Sequence, residues 1–298
     1  MTYVTGTALT LAVLAGLFLA ALHLGFRAPR VRERGTPADL GLAYEAVQIP
    51  TVSGKRLFAW LLPVPDADTS IIMLHGWGGN AELMLPMAQP FHTAGINVLL
   101  IDARSHGNSD PDTFSSLPRF AEDLDQAIDW LRRQHPARVQ RLALLGHSVG
   151  AGAALLSASR KRDISAVISV SAFAHPEWMM KRYLQRLHLP GPVMTFILYY
   201  VQWIIGHRFS EIAPISTVCK ITCPILLVHG RADTTVPVED ARAIARSCPG
   251  SNITLIEIDE ADHDSVDKIE RHGCELMEFL RQQGFSGAHK PASGQVGE

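Results

Sequence analysis

Hydrophobic positions fall along this chain in two rhythms. Short apolar runs recur at Ser70–Leu74 (SIIML), Ile96–Ile101 (INVLLI), Val139–Leu145, Ala166–Val170, Ile225–Val228 and Ile253–Ile258. Each is short for a helix and too continuously apolar for a strand with one wet face. Each therefore predicts a strand covered on both faces of a sheet. Between them, apolar residues take helical spacing at Ala81–Ala94, Arg119–Gln134, Val149–Ala158, Ala241–Cys248 and Val266–Gln283; in the second, Phe120, Leu124, Ile128 and Leu131 share a face. Two earlier runs, Tyr44–Ile49 and Leu57–Val64, predict an antiparallel pair. Strands alternating with helices predict an α/β fold with a mostly parallel central sheet and helices on both faces. The stretch 173–218, with Trp178, Met179, Met180, Tyr183 and the apolar run Val193–Ile205, breaks the rhythm and predicts a helical cap inserted between strands.

The first 26 residues contain no Lys, Arg, Asp or Glu, and the run from Ala8 to Phe26 is almost wholly apolar. At about 1.5 Å rise per residue it comes close to the ~30 Å hydrocarbon thickness of a bilayer. Arg27, Arg30, Arg32 and Arg34 follow at once. A cleaved signal peptide places its charge before the apolar run and a small-residue site after it, the reverse of this order. A buried core helix is the other alternative. The chain is read as a transmembrane anchor over 1–26, a basic linker over 27–40, a folded domain over 41–284 and a disordered tail over 285–298. The positive-inside rule puts the domain on the cytoplasmic side.

Composition narrows the chemistry. With 47% hydrophobic residues and a net charge of −2, the chain is neither disordered nor built to bind nucleic acid. Cys219, Cys223, Cys248 and Cys274 are too dilute for a disulfide scaffold, make no metal-ligand pattern and suit the reduced thiols of a cytosol. No zinc-protease, phosphate-loop or dinucleotide motif occurs, so no metal or cofactor is expected.

Gly146-His147-Ser148-Val149-Gly150 lies between a predicted strand and a predicted helix, the context of a G-x-S-x-G nucleophile elbow. A serine hydroxyl needs a base, and the base needs an orienting acid; in this motif they follow in the order Ser, Asp, His, each after a later strand. Asp233 follows Ile225–Val228, and His263 follows Ile253–Ile258. Asp259, Asp262 and Asp264 also crowd His263 and are alternatives for the acid. The oxyanion hole needs two backbone N–H groups: Val149, next to the nucleophile, and Trp77 in the glycine-rich loop His75–Asn80 are the candidates. His106 is expected to be structural, His147 to point away from the serine, and Met179, Met180, Tyr199 and Tyr200 to pack a lid or touch lipid.

These residues resemble the α/β-hydrolase superfamily, in particular its lysophospholipase/monoacylglycerol-lipase and serine-aminopeptidase-like group. The carriers are HGWGG at 75–79, DARSHGNS at 102–109, GHSVG at 146–150, HGRADTTVP at 229–237 and DH at 262–263. Ser105 stands where such proteins often have glycine. The resemblance implies an α/β-hydrolase fold and a serine hydrolase but does not specify the substrate; the apolar cap and the expected anchor together point to a membrane-tethered enzyme acting on small acyl esters or lipid-like substrates. A serine aminopeptidase or amidase on the same fold, and a non-catalytic membrane-tethered binding module, are the alternatives.

Overall fold

The structure, a computed structural model, describes Val13 and residues 16–25, 27–250, 252–265 and 272–285. Eight strands form one sheet: β1 (Glu45–Pro50), β2 (Arg56–Leu62), β3 (Thr69–Leu74), β4 (Asn97–Ile101), β5 (Arg141–His147), β6 (Ala166–Val170), β7 (Ile225–Gly230) and β8 (Ile253–Ile258). Their order is β1-β2-β4-β3-β5-β6-β7-β8. The β1–β2 and β2–β4 pairs are antiparallel and all later pairs parallel.

The helices follow from the second rhythm. Residues 16–25 are helical (α1). The others are α2 (Leu85–Thr93), α3 (Leu117–Gln134), α4 (Val149–Ala158), α5 (Pro176–Arg186), α6 (Gly191–Ile205), α7 (Phe209–Ile212), α8 (Pro214–Thr217), α9 (Val238–Arg246) and α10 (Gly273–Gln282). The period of two decides which face each strand residue buries. Ile72, Leu74, Leu142, Leu144 and Leu227 pack with α3 and α4 on one face. Ile71, Met73, Leu145, Ile168 and Leu226 pack with α2 and α10 on the other. Helices α5–α8 fill the interval between β6 and β7. In α6, Gly206 ends the helix with φ 71°, a left-handed C-cap that glycine adopts without penalty.

Four expectations change. Among the described residues no helix is long and apolar enough to cross a membrane, so the expected span over 1–26 finds no support here; residues 1–12, 14, 15 and 26 lie outside the described ones. The linker over 27–40 is held against the domain and ends in a 3-10 turn, Pro37–Leu40. Phe285, read as the start of a disordered tail, is fully buried beside α10 because its ring completes that apolar layer; residues 286–298 lie outside the described ones. The thiols are not all free: Cys219 and Cys248 form a disulfide with Cα atoms 5.4 Å apart. The turn before β7 and the end of α9 bring together two cysteines 29 residues apart, a proximity no spacing rule shows. Cys223 and Cys274 are free, and burial pushes the Cys223 thiol up to about 11.

Alkylating the unfolded chain with a maleimide, without reductant, is expected to modify two thiols; four would mean that Cys219 and Cys248 are reduced. Where the pair is intact, reduction is expected to cost roughly 3 kcal/mol of unfolding free energy, from the loop it closes.

Candidate active site

Strand β5 ends at His147, and the chain turns at once into α4. Ser148, between them, has φ 54° and ψ −116°, a conformation that non-glycine residues rarely hold. Close packing keeps it there. A Cβ at Gly146 would collide with the Gly150 backbone, and a Cβ at Gly150 with the Leu74 and His75 carbonyls. The Ser148 N–H donates to Val170 O of β6 at 2.9 Å. The hydroxyl is thereby held above the C-terminal edge of the sheet, and the Val149 N–H opens α4 with no intrahelical acceptor.

The loops after β7 and β8 carry the partners. His263 Nε2 lies 3.0 Å from Ser148 Oγ, and His263 Nδ1 lies 2.7 Å from Asp233 Oδ2. The carboxylate therefore fixes the ring with Nδ1–H donated and Nε2 free to accept the serine proton. Asp233 Oδ1 accepts the Thr235 and Val236 N–H groups at 2.9 and 2.8 Å. Burial would raise the Asp233 pKa, but hydrogen bonds from His229, His263 and Val236 outweigh it and hold the carboxyl well below the usual range. Two of the rival acids are occupied elsewhere. Asp259 pairs with Arg231 at 2.8 Å, and Asp262 accepts the Asp264 N–H and the Ser265 hydroxyl.

Three histidines at the ends of strands fasten the loops around this group. His75 donates from Nδ1 to Gly76 O at 2.7 Å and accepts the Ala103 N–H at Nε2, 3.1 Å. His229 donates to Val236 O at 2.8 Å, across the turn that carries Asp233. His147 does not point away, as the sequence led us to expect. Its Nε2 donates to His263 O at 2.8 Å, so it grips the backbone of the very residue that meets Ser148. The strained turn at Ser148 swings its neighbour toward the β8 loop, which strand alternation alone does not anticipate. His106 is structural: it is buried, its Nδ1 meets Arg104 O at 3.0 Å, and its ring packs on His75 and Phe120.

The loop His75–Asn80 faces Ser148 across Gly76, where an added Cβ would sit 3.0 Å from the serine Cβ. Trp77 follows, half-exposed, at the mouth of the site. The preceding arm straps this loop down, a role not legible in the sequence. Asn80 donates to Val31 O at 3.2 Å, Glu82 accepts the Arg34 and Gly35 N–H groups at 2.7 and 3.0 Å, and Arg30 donates to Gly107 O at 2.9 Å. Ser105 takes φ 67°, which explains why glycine suits the position. Its hydroxyl accepts the Asp112 N–H at 2.7 Å and so offsets part of the strain.

Above Ser148 opens a cleft of about 1160 Å³, lined by Ser148, His263, Trp77, Met179, Met180, Val201, Ile205 and Phe209 among others. Its walls are mainly apolar and are shared between the cap, the loop after β3 and the start of α3. Among the described residues no group of His, Cys, Asp or Glu could hold a metal ion.

Residues 65–214 match the family described as serine aminopeptidase, S33. The chain belongs to the serine aminopeptidase S33 family. Among solved structures, an esterase of Pyrococcus furiosus superposes with a TM-score of 0.71 at 26% identity, over 86% of this chain and 96% of that one. Est1E of Butyrivibrio proteoclasticus, solved with ferulic acid, shares the fold at 21% identity and a TM-score of 0.64, over 79% of this chain and all of that one. A 31.7 kDa Escherichia coli protein from the traX–finO intergenic region is 32% identical over 74% of this chain and 93% of its own length. A membrane protein of Saccharomyces cerevisiae is 24% identical over 84% of both chains. This S33-family member is thus an α/β-hydrolase-fold protein with esterase-like architecture, the superfamily its motifs resemble.

In this S33 chain two of the clamping histidines are held neutral. Burial, then the nearby His106, lowers His75 to about 3; burial, then the nearby His263, lowers His147 to about 4. Below the unfolded pKa of about 6.5 the unfolded chain binds these protons and the folded chain does not, so stability falls as pH falls. Each group contributes a slope of about 1.4 kcal/mol per pH unit. Urea unfolding is expected to show about 2 kcal/mol lost between pH 6 and pH 5 from the pair, with a shallower slope in His147→Gln. An identical slope in wild type and variant would show that His147 titrates freely in the folded state.

Proposed function

We propose that the chain is a serine hydrolase that cleaves carboxylic esters with apolar acyl groups. The observation that carries this reading is the continuous contact from Asp233 Oδ2 through the His263 ring to Ser148 Oγ, with spacings of 2.7 and 3.0 Å, at the floor of an apolar cleft. In this reading His263 Nε2 takes the proton as Ser148 Oγ attacks the ester carbonyl carbon. The carbonyl oxygen becomes an oxyanion held by the Val149 and Trp77 N–H groups. His263 then passes its proton to the leaving alkoxide, the C–O bond breaks, and an acyl-serine remains. Water, deprotonated by His263, attacks the acyl carbon and releases the carboxylic acid, returning the proton to Ser148. Asp233 keeps the tautomer and stabilises the imidazolium in each half-reaction.

A peptidase reading comes from the family's description. An aminopeptidase needs a carboxylate to receive a free amino group. Glu177 pairs with Lys181 at 2.6 Å, and Glu211 accepts the Arg208 N–H at 3.1 Å; neither lines the cleft. Of the carboxylates that do, Glu82 is taken by the arm, which leaves Asp264. The balance favours esters. A binding module without catalysis would have no use for a fully aligned relay.

Membrane attachment through the N-terminal segment rests on the apolar sequence before Arg27. A pairing of Cys219 with Cys248 suits an oxidising compartment and so favours, in this reading, the non-cytoplasmic side over the side the arginines suggest.

A fluorophosphonate probe is expected to label wild type on Ser148 and to leave Ser148→Ala unlabelled. Ester turnover is expected to fall by at least ~10³-fold in Ser148→Ala and by roughly 10³–10⁴-fold in Asp233→Asn. Equal turnover in wild type and Ser148→Ala would establish the binding module instead. With p-nitrophenyl esters, kcat/KM is expected to rise by up to about fourfold per methylene until the cleft is filled. A preference for aminoacyl-nitroanilides over these esters would favour the peptidase.

A further inference from the structure

We propose that the outer face of the cap, together with α1, is a docking surface for an anionic lipid bilayer, and that it sets the mouth of the cleft against the membrane. This deepens the ester-hydrolase reading by naming where its substrate resides. Helix α6 has two unlike faces. Val201 and Ile205 turn inward to the cleft. Phe196, Tyr199 and Trp203, spaced by three and four residues, turn outward; Tyr199 is 70% and Trp203 75% exposed. Large aromatic rings on one helical face, unpaid for by burial, are costly in water and suit the headgroup level of a bilayer. Tyr200 links Phe196 and Trp203 by ring contacts at 6.2 and 6.0 Å, so the rings act as one patch.

What covers the patch is indicated by its neighbour. Helix α1 lies beside it, with the Phe18 ring 6.3 Å from that of Phe196 and with Leu17, Phe18 and Leu24 exposed. The same apolar sequence runs back from α1 to Ala8. The chain thus approaches the cap through its most lipid-soluble segment, next to the aromatic face. Charge agrees. From Pro176 to Arg208 the sequence has one carboxylate, Glu177, against Lys181, Arg182, Arg186 and Arg208; beside α1 stand Arg27, Arg30, Arg32 and Arg34 against Glu33. Arg182 is committed to Asp240, and Glu177 to Lys181. Arginines flanking an apolar face are drawn to anionic headgroups within a Debye length of the surface. Gly25, Arg32 and Arg34 also line the cleft, so its opening lies next to the proposed contact.

The test uses the full chain with vesicles of phosphatidylcholine containing phosphatidylglycerol, some of the lipid brominated near the glycerol end. Tryptophan emission of wild type is expected to be quenched, and Trp203→Phe to lose most of that quenching. Equal quenching in both proteins would mean that another segment alone reaches the lipid, and overturns the proposal. No quenching, with a dimer in sedimentation that Tyr199→Ser/Trp203→Ser dissociates, would assign the face to a second copy and overturns it too. In the same double variant, hydrolysis of a soluble p-nitrophenyl butyrate is expected to stay within twofold of wild type, while hydrolysis of a monoacylglycerol held in these vesicles falls at least tenfold; equal loss on both substrates would count against the surface. Absence of hydrolysis in wild type would remove the ester reading and leave the quenching result standing.

Discussion

The site depends on one steric constraint, the contact between the turn after β5 and the loop after β3. The Gly150 backbone lies against the Leu74 and His75 carbonyls, and Gly146 lies against Gly150. Nothing larger than hydrogen fits at either place. Because the chain is that close, Ser148 is held in a left-handed conformation at the sheet edge and Gly76 passes within a methyl group's reach of it. Ser148, the start of α4 and the His75–Asn80 loop are thus one packed unit. Backbone strain of this kind, of order 1–3 kcal/mol, persists only where the surroundings over-determine it.

Around that unit the protein uses imidazoles as brackets. His75, His147 and His229 each end a parallel strand, and each joins its own strand end to another loop by a hydrogen bond to backbone or within a turn. Imidazole suits this place because one ring can both donate and accept. For His75 and His147 the dependence is reciprocal: burial keeps the rings neutral, and the neutral rings hold the loops they join in register. The same geometry that aligns the relay makes the folded chain sensitive to acid.

The cap and the arm decide access rather than chemistry. The inward face of α6 walls the cleft, while its outward face leaves aromatic rings in solvent. The arm from Arg30 to Gly35 ties the His75–Asn80 loop and its neighbours to the chain that leads back to the apolar N-terminal segment. The mouth of the cleft, the loops that carry Ser148 and His263, and the proposed lipid contact therefore share one edge of the molecule. An ester with an apolar acyl chain could pass from a bilayer to Ser148 without crossing bulk water.

Much was determined by the sequence alone. The apolar runs located all eight strands, the six inner ones because residues buried on both faces leave a continuous signal, and the glycines of GHSVG marked the elbow because no other side chain fits there. The order Ser148, Asp233, His263 was legible because each follows a strand end. Other features belonged to tertiary structure. Only folding showed that His147 turns onto the His263 carbonyl, that Cys219 meets Cys248, and that the presumed linker is a strap over the oxyanion loop. These are contacts between segments distant along the chain, made by residues whose local spacing is unremarkable. Periodicity reports which face of an element is buried; it carries no information on which distant backbone atom will lie opposite.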